Sequence, residues 1–237
     1  MVVKVWRWAG AAAVLALVGT GCTPTGDVQD PAVRRLTWFS YLSGDDMQCE
    51  TGIDRVRLVH NAIWDEDVRV IEATEVPGAG YKVKENLLLR IDWTDIRFDP
   101  EAPRAPWRGD VREGEWSQAQ YATLMDALKA DDAFVPLAQP LALKGQGFFW
   151  TGVGCANGKR WFHAWSYPST AYEALTFPKV LEGLVPSGTA FASAHPEDKS
   201  YPDQNPKHPR DFEMTATSTG ISGRLGLARP PLNRFLP

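Results

Sequence analysis

Three cysteines and four histidines are the side chains of this chain best suited to covalent or ligand chemistry. Cys22 ends the small-residue run Gly19, Thr20, Gly21, Cys22, after an uncharged apolar stretch from Ala9 to Val18 and the positive residues Lys4 and Arg7. That order reads as a processed secretory segment rather than as part of a fold. If Cys22 is consumed there, Cys49 and Cys155 remain, and export would place them in an oxidising compartment where a single pairing is possible. Two buried thiols are the alternative, and nothing near either cysteine marks it as an activated nucleophile. Among the histidines, His60 alternates with Val56 and Leu58 and reads as a hydrogen-bonded core or rim residue. His195 and His208 stand beside Asp198 and Asp203 among prolines, in a spacing that matches no metal family. His163 has the best context, because Trp161, His163, Trp165 and Tyr167 share one face of a strand. Such a face is either a core layer under a helix or an exposed ligand platform, on which flat rings would stack against sugars. No nucleophile elbow, phosphate-binding glycine loop or His-Glu-x-x-His motif is present, so no catalytic residue, metal or cofactor is assigned.

The first 22 residues resemble the signal of bacterial lipoproteins, in which the Cys becomes the lipidated first residue of the mature chain. The family usually carries an aliphatic residue three positions before that Cys, where this chain has Gly19. The resemblance implies a lipid attachment site at Cys22 and a membrane held through acyl chains, each buried CH₂ adding about 0.8 kcal/mol. The apolar core is too short for a spanning helix, which needs about 20 residues. Thr23 stands where Asp usually signals inner-membrane retention, so the resemblance implies the outer membrane, facing the periplasm. A second, slighter similarity is to the membrane-bound lysozyme inhibitors. It rests on Met47, Cys49 and Gly52, followed by strands and by Gly78, Ala79, Gly80 and Tyr81. It implies a small antiparallel barrel. Pro77 replaces that family's Ser, and no functional residue carries over.

The elements that would position these residues are mixed. Arg34 to Leu42 reads as a first strand, rich in aromatic and β-favouring residues. Asp54 to Ile63, Asp67 to Val76 and Tyr81 to Asp92 follow at close spacing as an antiparallel meander. Asp99 to Gly114, with three prolines, reads as a loop. Ser117 and Gln120 form a capping box, and Tyr121, Leu124, Met125 and Leu128 then fall on one helical face as far as Asp131 and Asp132. Phe148 to Gly154 and Lys159 to Tyr167 flank Asn157 and Gly158, a type I′ hairpin turn. Thr170 to Leu184 reads as one or two short helices interrupted at Pro178. Ser187 to Pro237 is dense in Pro, Gly and Ser and reads as an extended or low-order tail, with one strand near Asp211 to Thr217.

The expected fold is therefore α+β: an antiparallel β-sheet meander and a C-terminal-half β-hairpin packed with one main α-helix. The expected divisions are a signal peptide over 1–21, a lipidated tether over 22–33, a single domain over 34–186 and a Pro-rich tail over 187–237. Removing residues 1–21 takes away Lys4 and Arg7, leaving 23 basic against 29 acidic residues, a net of −6. That balance, with no basic stripe, excludes nucleic acid as a partner. Eight tryptophans follow the signal (38, 64, 93, 107, 116, 150, 161 and 165) and serve cores and binding surfaces alike. The expected role is a non-enzymatic binding or assembly protein of the cell envelope, with an envelope protein or a glycan as partner. The alternatives are a periplasmic glycan-acting enzyme and a lysozyme-inhibitor-like protein.

Overall fold

The computed structural model describes residues 40–44, 46–47, 49, 52–63, 66–89, 109–196 and 213–224. The expected export segment and tether, with Cys22, and His208, Trp38, Trp64, Trp93 and Trp107 lie outside them. The described residues are mainly antiparallel β-sheet with a few short helices. In chain order they form α1 (Ser40–Ser43), β1 (Arg55–Ala62), β2 (Asp67–Val76), β3 (Gly80–Leu89), β4 (Asp110–Trp116), α2 (Gln118–Ala130), β5 (Leu141–Lys144), β6 (Phe148–Ala156), β7 (Lys159–Ser166), α3 (Thr170–Glu173), α4 (Phe177–Glu182), β8 (Glu213–Thr217) and β9 (Gly220–Arg224).

The expected meander is present. Strands β1 to β4 run up and down, and the hairpin β6–β7 joins them through β1, giving the order β4-β3-β2-β1-β6-β7. Asn157 and Gly158 hold φ of 52° and 73°, the left-handed pair that a type I′ turn requires. The Cys49–Cys155 disulfide is formed, with Cα atoms 5.3 Å apart, and ties the end of β6 to the segment before β1.

Both faces of the six-stranded sheet are covered over β1 and β6, where both sets of alternating side chains are buried, while on β3 and β4 the face carrying Lys82, Glu113 and Glu115 is open. On one face Val56, Leu58, Ile71, Val83 and Trp150 pack under α2 and α4, against Tyr121, Leu124, Leu128, Phe177 and Leu181. Ser117 and Gln120 close the capping box of α2 as expected. On the other face Val59, Val70, Phe149 and Val153 meet Leu42, Leu143, Met214, Ala216 and Ile221, which come from α1 and from a second sheet of order β5-β8-β9. Arg57 reaches into this second layer and is 4% exposed. Its guanidinium donates to both carboxylate oxygens of Asp46 and to Glu72. Burial works against these charges. The hydrogen bonds and mutual attraction outweigh it, holding the Asp46 carboxyl below its ordinary value and raising Arg57.

Four expectations need correction. Residues 40–42, read as the end of a first strand, are helical; Leu42 is buried against the sheet as part of a single turn, and residues 34–39 lie outside the described set. The loop expected to run to Gly114 ends earlier, because Asp110 to Gly114 pair with β3. Pro178 does not interrupt a helix but sits in the first turn of α4, where its missing N–H costs nothing. The tail expected to be of low order from Ser187 is, over 187–196 and 213–224, built into the fold. Ser187 donates through its N–H and hydroxyl to the fully buried carboxylate of Glu85, at 2.8 and 3.0 Å. Strand β8 pairs with β5, and its Met214 and Ala216 are completely buried.

Candidate functional site

The indoles of the expected platform are covered. Trp161 is 7% exposed and Trp165 3%, so the pair belongs to the core beneath α2 and not to an open aromatic face. The cause lies on the neighbouring strand. Gly154 pairs with Trp161 and Gly152 with His163, and a Cβ at either glycine would fall within 3.0 Å of the Trp161 ring. The two glycines leave a flat trough in which that indole lies. The Trp165 indole N–H donates to the Asp131 carbonyl at 3.1 Å. His163 is half-buried, with its Nδ1 2.8 Å from the Val135 carbonyl. Burial draws its pKa down, against the opposing effects of that hydrogen bond and of Asp132. Tyr167 alone turns elsewhere, and leads to the candidate site.

That site is a cleft of about 330 Å³ beside β1 and β6. Strand register builds its floor. Arg69, His60, Trp150 and Trp165 are successive partners across β2, β1, β6 and β7, so their side chains stand in one row. His60 stacks on Trp150 with ring centroids 4.4 Å apart, and the Phe191 ring meets both edge-on. Tyr167, Tyr172, Leu175 and Pro178 continue the wall, and Glu173 and Glu182 bring carboxylates to it. Among the described residues, none that lines the cleft is Lys or Arg.

His60 is 1% exposed, and its Nδ1 is buried without a hydrogen-bond partner. This departs from the hydrogen-bonded residue expected from the alternation. Burial, with a smaller contribution from the Arg69 charge, pulls its pKa down to about 3, so the ring is neutral at pH 7. Burial likewise pushes the Tyr172 phenol up to about 12, against an opposing hydrogen bond with Trp150.

The wall carrying Phe191 is held by charges that are already committed. Arg69 pairs with both oxygens of Asp67, at 3.0 and 3.1 Å, donates to the Thr189 carbonyl at 3.0 Å, and lies 5.2 Å from the Phe191 ring centre. The Phe191 N–H donates to Glu182 at 3.1 Å. With Glu85 on Ser187, these contacts fasten residues 187–191 across the sheet as a strap. The sequence signal for this was the set of charged residues inside strands, Arg69 and Glu85 above all, each of which must find a buried partner.

A second concavity, of about 580 Å³, lies over β2, β3 and β4 and is lined by Glu72, Lys82, Lys84, Glu113 and Glu115. Register places Lys84 opposite Glu72 and Glu113, and Lys82 opposite Glu115, the cross-strand charge pairing of a solvated sheet face. His195, one of the two tail histidines, is exposed and packs edge-on against Phe148. Among the described residues no three His, Cys, Asp or Glu side chains are grouped to hold a metal, and no helix is long and apolar enough to cross a membrane. No family model, curated protein or solved structure matches this chain.

Proposed function

We propose that this chain is an exported protein of the cell envelope, lipid-anchored through Cys22, that acts by binding rather than by catalysis and uses the His60–Trp150 cleft to do so. The observation that carries the export half is the Cys49–Cys155 bridge. Such a bond persists in oxidising compartments and is rare where thiols are kept reduced. It uses both cysteines that follow the export segment and leaves Cys22, at the end of that segment, as the third. Thr23 and the residues to Val33 then form the tether, on the periplasmic face of the outer membrane.

The binding half is supported by the chemistry of the cleft. A histidine that takes a proton only near pH 3 is a poor general acid or base at neutral pH. Glu182 has one oxygen occupied by the Phe191 amide. What the cleft offers is shape, aromatic surface and two carboxylates with no Lys or Arg in the lining, which are means of recognition. The test is radiolabelled palmitate with membrane fractionation. Wild type should take the label and sediment with membranes, and Cys22→Ala should lose both properties. A Cys22→Ala protein that stays in the membrane fraction without label would overturn the anchoring.

A further inference from the structure

We propose that the cleft floored by His60 and Trp150 binds a primary ammonium group carried on a small apolar or sugar body. This rests on the binding role above and names its ligand class. Four aromatic residues, Trp150, Tyr167, Tyr172 and Phe191, line the space, and aromatic faces attract cations. Glu173 is exposed at the rim, and its carboxylate makes no hydrogen bond or ion pair among the described residues. Its charge is therefore available to a ligand. Arg69 packs on the Phe191 ring with its guanidinium taken up by Asp67 and Thr189. Carboxylates against apolar walls with no lining cation make a cleft that concentrates positive charge and repels anions.

The histidine narrows the class further. His60 is neutral, lines the same cleft, and has a buried Nδ1 with no partner. A buried polar atom without a partner is costly and unusual in a native fold. As the Nε2–H tautomer it presents an acceptor that an N–H donor satisfies. A primary ammonium supplies three such donors; a quaternary ammonium supplies none. The aromatic wall is set before binding, because Arg69 and Glu182 fix the strap that carries Phe191. Ordering it adds no cost on association.

The test is calorimetric titration of the full exported chain at pH 7.5, purified in detergent from membranes, or from the soluble fraction if Cys22 proves not to anchor it. Failure of anchoring thus leaves the ligand test intact. Pentylammonium should bind saturably at one site, with 1-pentanol, pentanoate and tetramethylammonium each at least about tenfold weaker. Glu173→Gln should weaken pentylammonium about fivefold, and Glu113→Gln, in the other concavity, should leave it unchanged. Glucosamine is the second arm. Tighter binding than pentylammonium assigns the amine to a sugar, and weaker binding assigns it to an alkyl chain. The proposal is overturned if neither amine binds, if pentanol or tetramethylammonium binds as well as pentylammonium, or if Glu173→Gln has no effect.

Discussion

His60 makes the protein's stability depend on pH in a way that can be isolated. Its pKa is about 3 folded and near the ordinary 6.5 unfolded. Between those values the unfolded chain binds a proton that the folded chain refuses, so stability rises with pH across that window. The contribution is complete above the unfolded value and is lost as pH falls from about 6.5 toward about 3. By linkage the loss is about 2 kcal/mol at pH 5 and about 4 kcal/mol at pH 3. The measurement compares urea unfolding at pH 7.5 and pH 5.0 for the protein and for His60→Leu, both in a Cys22→Ala background. Leu keeps the site apolar and removes the proton, whatever it does to stability itself. Other groups act in the same range, notably His163, which burial also depresses, and the surface carboxylates. They are present in both proteins and cancel in the difference. The protein carrying His60 should lose about 2 kcal/mol more than His60→Leu between the two pH values, equivalent to roughly 4–8 °C in Tm. Parallel pH profiles would show that His60 is hydrated or partnered in solution, and the cleft floor would have to be redrawn.

Three further outcomes follow from the packing. Truncation after Val185 removes Phe191, Met214 and Ile221, all at most 9% exposed; at about 1.5–3 kcal/mol for each buried apolar side chain it should lower Tm by more than about 10 °C or abolish folding, and an unchanged melt would mean the strap and the second sheet do not dock. Asp131→Ala removes the carboxylate that accepts the Thr176 and Phe177 N–H groups, each at 2.8 Å, at the start of α4; thermal unfolding should show a loss of about 1–3 kcal/mol, with Asp131→Asn milder. The Cys49–Cys155 bridge spans 106 residues, so reduction should cost up to about 4.7 kcal/mol in denaturant unfolding, and free thiols at both positions in exported protein, by non-reducing peptide mapping, would contradict the pairing.

How much of this could be read from the sequence depends on how far apart the partners lie in the chain. The capping box at Ser117 and Gln120, the Asn157–Gly158 turn and the alternation from Asp54 to Ile63 are local, and each stands as expected. Turns also carry register. Once Asn157 and Gly158 close the hairpin, Trp150 must face Trp165, and the turn after β1 in the same way sets His60 opposite Arg69. The contact of β1 with β6 has no such local determinant, yet it is what brings His60 onto Trp150. The strand expected from Arg34 to Leu42 illustrates the reverse case, since β propensity there yields at residues 40–42 to a helical turn that buries Leu42. The aromatic face at Trp161 and Trp165 was ambiguous for want of the opposite strand: only Gly152 and Gly154, read against Trp161 in register, show that the indole has a trough to lie in.

The polar residues inside strands are the more general lesson. Alternation sorts side chains into two sets, with Arg55 and Arg57 opposite Val56 and Leu58. Arg57 is nevertheless buried beside α1, where it takes Asp46 and Glu72 as partners and lies over the Tyr41 ring. On the helix side Arg69 and Glu85 are buried in turn and capture the strap at Thr189 and Ser187. A short segment of small residues with Phe191 as its one large apolar side chain cannot fold alone. It is ordered here because the sheet presents charges that require its backbone groups. The same requirement carries Phe191 onto His60 and Trp150 and so shapes the cleft. The proposed ligand site therefore depends on the docking of the strap: loosening Arg69 or Glu85 should open the aromatic wall before it unfolds the sheet beneath.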